Sequence, residues 1–140
     1  MIIDSTIFCG ENDILQIRLE ELWDIVNWFI IVEGHYTQSR IEKPLYFLQN
    51  KTRFEKYLSK IVYIPIEECV SGGPGNWAQE HFLRNSLLSG LDKLRNNGIK
   101  LSLDDVFIIG DCDEVVQANV IEKAINANYE EPISFNLRFI

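Results

Sequence analysis

The chain has 140 residues, of which 46% are hydrophobic and 24% charged, with a formal net charge of −8. This composition is typical of one ordinary folded domain, and the acidic balance without a basic stripe argues against a nucleic-acid partner. Cys9, Cys69 and Cys112 form neither a zinc nor a disulfide pattern, and no apolar run approaches the roughly 20 residues of a membrane span. We therefore expect a cytoplasmic protein with no membrane span.

Short apolar runs typical of buried strands alternate with helix-like segments along the chain. The predicted strands are 2–8, 28–32, 61–64, 106–109 and 133–140, and the predicted helices are 13–26, 51–59, 76–96 and 117–128. This alternation predicts an α/β fold with a mostly parallel sheet flanked by helices. Because the last predicted strand reaches the final residue, we expect residues 1–140 to form a single domain that is truncated at its C-terminus and therefore incomplete.

The segment 104–114 carries the most informative pattern, because an apolar strand runs directly into Asp111, Asp113 and Glu114. In open α/β sheets, ligands bind beyond the carboxyl ends of the strands. In an extended chain, Asp111 and Asp113 would point the same way, and two close carboxylates repel unless a cation lies between them. The pattern favours Mg²⁺ or Mn²⁺ held by both aspartates, which could also bind a diphosphate. The alternative is that both residues merely cap the following helix.

The predicted helix 76–96 places two charged residues on its apolar face. Leu83, Leu87, Leu91 and Leu94 form one stripe at about 100° per residue, and Trp77, Glu80 and Arg84 project into the same sector. Inward-facing charges are costly unless they are paired or line a cleft. Glu80 and Arg84 are therefore predicted either to line the ligand crevice or to form a structural i,i+4 ion pair.

Glu33 follows the second predicted strand, where a carboxylate that recognises a nucleoside is often found. The alternative is a carboxylate that accepts hydrogen bonds from its own loop. Among its neighbours, His35 is interpreted as a loop residue, and Tyr36 either stacks on a base or packs against the protein.

Taken together, these motifs resemble the N-terminal part of glycosyltransferase family 17. The resemblance runs in order through 11–19 (ENDILQIRL), 29–33 (FIIVE), 36–37, 43–47 (KPLYF), Trp77, Glu80, Arg84 and 108–114 (IIGDCDE). Two departures concern loops: residues 38–42 lack the glycine-containing turn expected before 43–47, and Val115 stands near where a proline is expected.

The resemblance implies a GT-A-like fold, a UDP-sugar donor such as UDP-N-acetylglucosamine, a glycan acceptor and inversion at the anomeric carbon. Asp111 and Asp113 would place Mn²⁺ or Mg²⁺ on the donor diphosphate, with Arg84 near the phosphates or the acidic loop and Glu33 near the nucleoside. The catalytic general base is not identified; Glu130 and Glu131 lie in a turn-like segment, and the base is expected to follow Ile140.

Two alternatives remain open from the residues. The chain could be a non-catalytic nucleotide-sugar-binding module or an inactive fragment. It could also be a Mg²⁺-dependent phosphotransferase of the haloacid dehalogenase type, although there the paired aspartates follow the first strand.

Overall fold

A computed structural model describes residues 1–71, 77–129 and 131–136 of the chain. Its centre is a parallel sheet of four strands in the order β3-β2-β1-β4, formed by β1 (Ile2–Ile7), β2 (Trp28–Gly34), β3 (Ile61–Ile66) and β4 (Val106–Ile109). These apolar, β-branched runs suit strands that are covered on both faces. The predicted α/β class and the first four predicted strands are confirmed.

Helices cover both faces of this sheet. They are α1 (Asn12–Leu22), α2 (Tyr46–Gln49), a 3₁₀ helix (Lys51–Lys60), α3 (Ala78–Asn85), α4 (Leu87–Asn96) and α5 (Ala118–Asn126). Alternate residues of β2 point to opposite faces, so Phe29 and Ile31 pack with α1 and α5, while Ile30 and Val32 pack with α3 and α4. Two apolar layers therefore hold the sheet between them.

The predicted single helix 76–96 is wrong, because two helices meet at Ser86. The Ser86 hydroxyl donates a hydrogen bond to the Phe82 carbonyl at 2.8 Å, a side-chain contact that competes with regular helical bonding and bends helices. Beyond the break, α4 lies close to β2: a Cβ at Gly90 would be 2.4 Å from Ile30 Cγ2. The leucine stripe itself is confirmed, since Leu83, Leu87 and Leu94 are buried in the core.

The fifth predicted strand is not found where the structure describes it. Residues 133–136 have no regular secondary structure, and 137–140 lie outside the described residues, as do 72–76 and Glu130. The prediction of a truncated domain stays a prediction. Within the described ranges, no helix combines the length and apolar character needed to cross a membrane.

Candidate functional site

The strand order reverses between β1 and β4, so the carboxyl ends of these two strands are where a ligand is expected. The chain adds β2 and β3 on one side of β1 and then returns to place β4 on the other side. Ligands of open α/β sheets bind at such a reversal of strand order. Ser5 of β1 lies beside Ile109 of β4, and the Gly110 amide donates to the Ser5 carbonyl at 3.3 Å. The residues that follow β4 therefore leave the sheet next to β1, where the strand order reverses.

Residues 111–114 form a tight turn, which we call the acidic turn. The Glu114 amide donates to the Asp111 carbonyl at 2.9 Å, and the Asp111 amide donates to Glu114 Oε2 at 2.8 Å. The expectation that Asp111 and Asp113 lie on extended chain is therefore wrong. Cys112 between them is buried in the core, where burial raises its pKa to about 12, while both aspartates are exposed. The buried cysteine anchors the turn and leaves its carboxylates in solvent.

The donor set of the acidic turn suits a hard divalent cation. The Asp111 side chain is 53% exposed, and carboxylate oxygens are the ligands that Mg²⁺ and Mn²⁺ prefer. Among the described residues, no group of three or more His, Cys, Asp or Glu side chains is arranged to hold a metal. Such an ion would therefore take its other ligands from water or ligand phosphates, as Mg²⁺ commonly does. The metal role of Asp111 and Asp113 stays a prediction.

Arg84 connects helix α3 to the acidic turn. Its Nη2 lies 3.0 Å from Asp111 Oδ1 and 3.3 Å from Glu80 Oε1. The i,i+4 pair of Glu80 and Arg84 is thus present, and Arg84 lies beside the acidic turn. The donor-binding role of Glu80 and Arg84 stays a prediction. Trp77, in contrast, is 64% exposed, so its predicted inward orientation is wrong.

Glu33 is enclosed by the protein itself. Its side chain has no exposed surface, and its Oε1 accepts hydrogen bonds from Lys43 Nζ at 3.1 Å and the Tyr46 amide at 2.7 Å. Its Oε2 accepts from the Phe47 amide at 3.0 Å and the Tyr63 hydroxyl at 2.8 Å. The carboxylate therefore caps the start of α2, a favourable place for negative charge. The nucleoside contact predicted for Glu33 stays a prediction.

The loop between β2 and α2 turns back on itself through a bridge between Tyr36 and Glu42. At Arg40 the backbone has φ = 61°, a left-handed conformation that glycine adopts most easily. The resemblance predicts a glycine in this loop, and here Arg40 adopts the left-handed backbone conformation that a glycine would take most easily.

Two hollows of about 600 Å³ each border the edges of the sheet. One lies beside β3, and the other lies between β4 and α5, where Gly110 and Glu114 contribute to its wall. Asp111 and Asp113 do not line either of these hollows, and both residues are exposed.

Comparison with known proteins identifies the family. The model of glycosyltransferase family 17 matches residues 1–139. The chain belongs to glycosyltransferase family 17. It is 33% identical over 133 residues to the β-1,4-mannosyl-glycoprotein 4-β-N-acetylglucosaminyltransferases of Homo sapiens and Rattus norvegicus, and 32% identical to that of Mus musculus. These alignments cover 91% of this chain and 24% of each relative, so the chain spans about a quarter of their length. No solved structure matches it significantly.

The site of this family 17 chain includes a buried ion pair that the sequence analysis missed. Asp4 of β1 and Arg18 of α1 form two hydrogen bonds of 2.8 Å, and each side chain is 2% exposed. Burial opposes the charge of Arg18, but the opposite charge and the hydrogen bonds of Asp4 outweigh burial and raise the pKa of the arginine above its usual value. Two features of the sequence could have revealed it. Arg18 lies on the stripe of Leu15, Leu19 and Leu22, and Asp4 is a charged residue inside a strand predicted to be buried.

Proposed function

We propose that this chain is the donor-binding part of a glycosyltransferase that transfers a sugar, N-acetylglucosamine, from a UDP-sugar to a glycan acceptor. One observation carries the proposal: a chain that matches family 17 over residues 1–139 exposes Asp111 and Asp113 at the reversal of strand order. The relatives' names, which specify N-acetylglucosaminyl transfer, support the choice of sugar.

In this proposal, Asp111 and Asp113 hold Mn²⁺ or Mg²⁺. The chemistry that such an ion supplies is neutralisation of the charge that builds on the departing diphosphate. Arg84 lies 3.0 Å from Asp111, close enough to turn towards donor phosphates, and Glu80 orients its guanidinium. The acceptor hydroxyl attacks the anomeric carbon of the donor sugar from the face opposite UDP. The bond from this carbon to UDP breaks as the new one forms, the configuration inverts, and the hydroxyl proton passes to a general base. The general base is not assigned to any described residue.

Calorimetric titration of UDP, with and without Mn²⁺, tests donor binding. We expect Asp113→Ala to abolish the Mn²⁺-dependent part of UDP binding because one of two protein ligands is lost. Asp24→Ala is the matched control, since Asp24 is also exposed but lies between α1 and β2, at the opposite edge of the sheet. Unchanged Mn²⁺-dependent binding in Asp113→Ala would show that the acidic turn is not the metal site.

A non-catalytic donor-binding module is the second candidate, because the chain spans about a quarter of its relatives' length. Release of UDP from UDP-N-acetylglucosamine, measured with Mn²⁺ and a glycan acceptor, separates the two. Acceptor-dependent release, by this chain or by the product of its full open reading frame, identifies a glycosyltransferase. Metal-dependent binding without release by either protein identifies a binding module.

A further inference from the structure

The guanidinium of Arg18 joins β1 and α1 to the acidic turn. Nε and Nη2 donate to the two carboxylate oxygens of Asp4, and Nη1 donates to the carbonyl oxygens of Asp111 at 2.7 Å and Glu114 at 3.0 Å. These carbonyls belong to the first and last residues of the turn. The planar guanidinium is held by two hydrogen bonds to the Asp4 carboxylate, and it therefore links the first and last residues of the turn.

The surroundings of the turn fit this arrangement. A Cβ at Gly110 would lie 3.2 Å from Glu114 Oε2 and 3.5 Å from Arg18 Nη2, so the glycine leaves room for both side chains to approach the backbone. Asp4 lies beside Ile108 in the sheet, which places the carboxylate just below the point where β4 ends. Asp4 of β1 thus holds the guanidinium of Arg18 in place, and this guanidinium in turn holds the backbone of the acidic turn.

Stability alone does not explain a charged pair at this position. Removing two charges from water offsets most of their attraction, and apolar residues of similar size are often as stabilising. The neighbouring positions on the same stripe of α1 are leucines, so an apolar residue at position 18 would continue an existing core. What a leucine or methionine cannot supply is directional hydrogen bonding to the two carbonyls of the turn.

We propose that the Asp4–Arg18 pair is a positioning device that fixes the conformation of the acidic turn and, through it, the affinity of Asp111 and Asp113 for a divalent cation. The effect on the turn is independent of the proposed function, whereas the effect on cation affinity rests on it. Arg18 is a positioning residue, because its hydrogen bonds go to Asp4 and to backbone carbonyls of the turn and not to the side chains of Asp111 or Asp113.

Two variants release the turn in different ways. Arg18→Lys keeps a positive charge opposite Asp4, but a single ammonium group cannot span Asp4 and both carbonyls. Asp4→Leu/Arg18→Met replaces the whole pair by apolar side chains and so avoids an unpaired buried charge. Leu22→Ala is the control: Leu22 is buried in the last turn of α1, and its truncation destabilises the fold without touching the acidic turn.

Amide hydrogen exchange and Mn²⁺ binding provide the two readouts. The Glu114 amide, which closes the turn, should exchange about tenfold faster or more in both Arg18 variants than in Leu22→Ala, relative to the amides of β2 in the same protein. The dissociation constant of Mn²⁺ alone, measured from free Mn²⁺ by electron paramagnetic resonance, should rise about tenfold, as is typical when residues supporting metal ligands are lost.

The outcomes separate the two proposals. Exchange at Glu114 that matches the Leu22→Ala control would overturn the positioning role, even if the wild-type chain binds Mn²⁺. Faster exchange with an unchanged Mn²⁺ dissociation constant would overturn the link to cation affinity. If the wild-type chain binds Mn²⁺ neither alone nor together with UDP, the proposed function fails, while the exchange measurement still decides the role of Arg18 in the turn. Should Arg18→Lys not fold, the double variant gives the same decision.

Discussion

Replacing Glu33 by glutamine should strongly destabilise the protein. Each carboxylate oxygen of Glu33 accepts two hydrogen bonds, and the side chain is fully buried. An amide nitrogen cannot accept a hydrogen bond. In place of Oε1 it would leave the Lys43 ammonium and the Tyr46 amide without an acceptor, and in place of Oε2 it would leave the Phe47 amide without one while the Tyr63 hydroxyl turns to accept from the new amide. The change also leaves the ammonium of Lys43, which is nearly buried, without a charged partner.

The magnitude follows from these contacts. Each buried donor without an acceptor costs about 1–3 kcal/mol, and breaking a buried ion pair costs about 3–5 kcal/mol. Because these two costs describe overlapping losses, we expect Glu33→Gln to lower the free energy of unfolding by about 3–5 kcal/mol. That is a large part of the roughly 5–15 kcal/mol that stabilises a typical domain.

Urea unfolding followed by tryptophan fluorescence measures this loss, since the chain has three tryptophans. Glu122→Gln, at an exposed position of α5, is the matched control and should change the free energy of unfolding by less than about 0.5 kcal/mol. If Glu33→Gln costs less than about 1 kcal/mol but abolishes UDP binding, Glu33 contacts the nucleoside and the structural reasoning is refuted.

Three further predictions follow from the contacts of other charged groups and thiols. Arg84→Ala removes a cation from the acidic turn, so we expect Mn²⁺ alone to bind about two- to fivefold more tightly and UDP more weakly in calorimetry. Hydrogen bonds, chiefly from Tyr57, lower the pKa of Glu20 to about 2, so the unfolding free energy should fall as pH drops from about 4.5 towards 2, and Glu20→Gln should weaken this dependence. Cys69 is exposed and Cys112 buried, so a thiol reagent should modify Cys69 at once and Cys112 only on unfolding.

The sheet could be predicted from sequence because its strands are short apolar runs with helical segments between them. This alternation of strands and helices was enough to predict four parallel strands at the places where the structure has them. The position of Asp111 and Asp113 at the carboxyl edge follows from the same pattern. The break at Ser86 was missed because a serine inside an apolar stripe is compatible with a continuous helix, and only its contact with Phe82 reveals the bend.

The details of the site depended on contacts between distant segments. The sequence pattern could not show that Asp111 begins a tight turn, because that turn is closed by Glu114 and held by Arg18. It likewise could not show that Glu33 is surrounded by donors from β3 and α2. Arg18 and Asp4 could have been found as opposite charges on two predicted buried faces, which is a sign of a buried pair.

Within the part of the chain that the structure describes, β3 and β4 are the outer strands of the sheet, and they differ in their protection against unwanted pairing. Along β3, Pro65 lacks an amide hydrogen, and Lys93 Nζ donates to the Tyr63 carbonyl at 3.0 Å, so a foreign strand meets obstacles there. Strand β4 reads Val-Phe-Ile-Ile, and its last residue, Ile109, is 53% exposed. In concentrated solution we expect intermolecular strand addition to begin along β4, which makes that strand the first place to introduce a lysine when solubility limits an experiment.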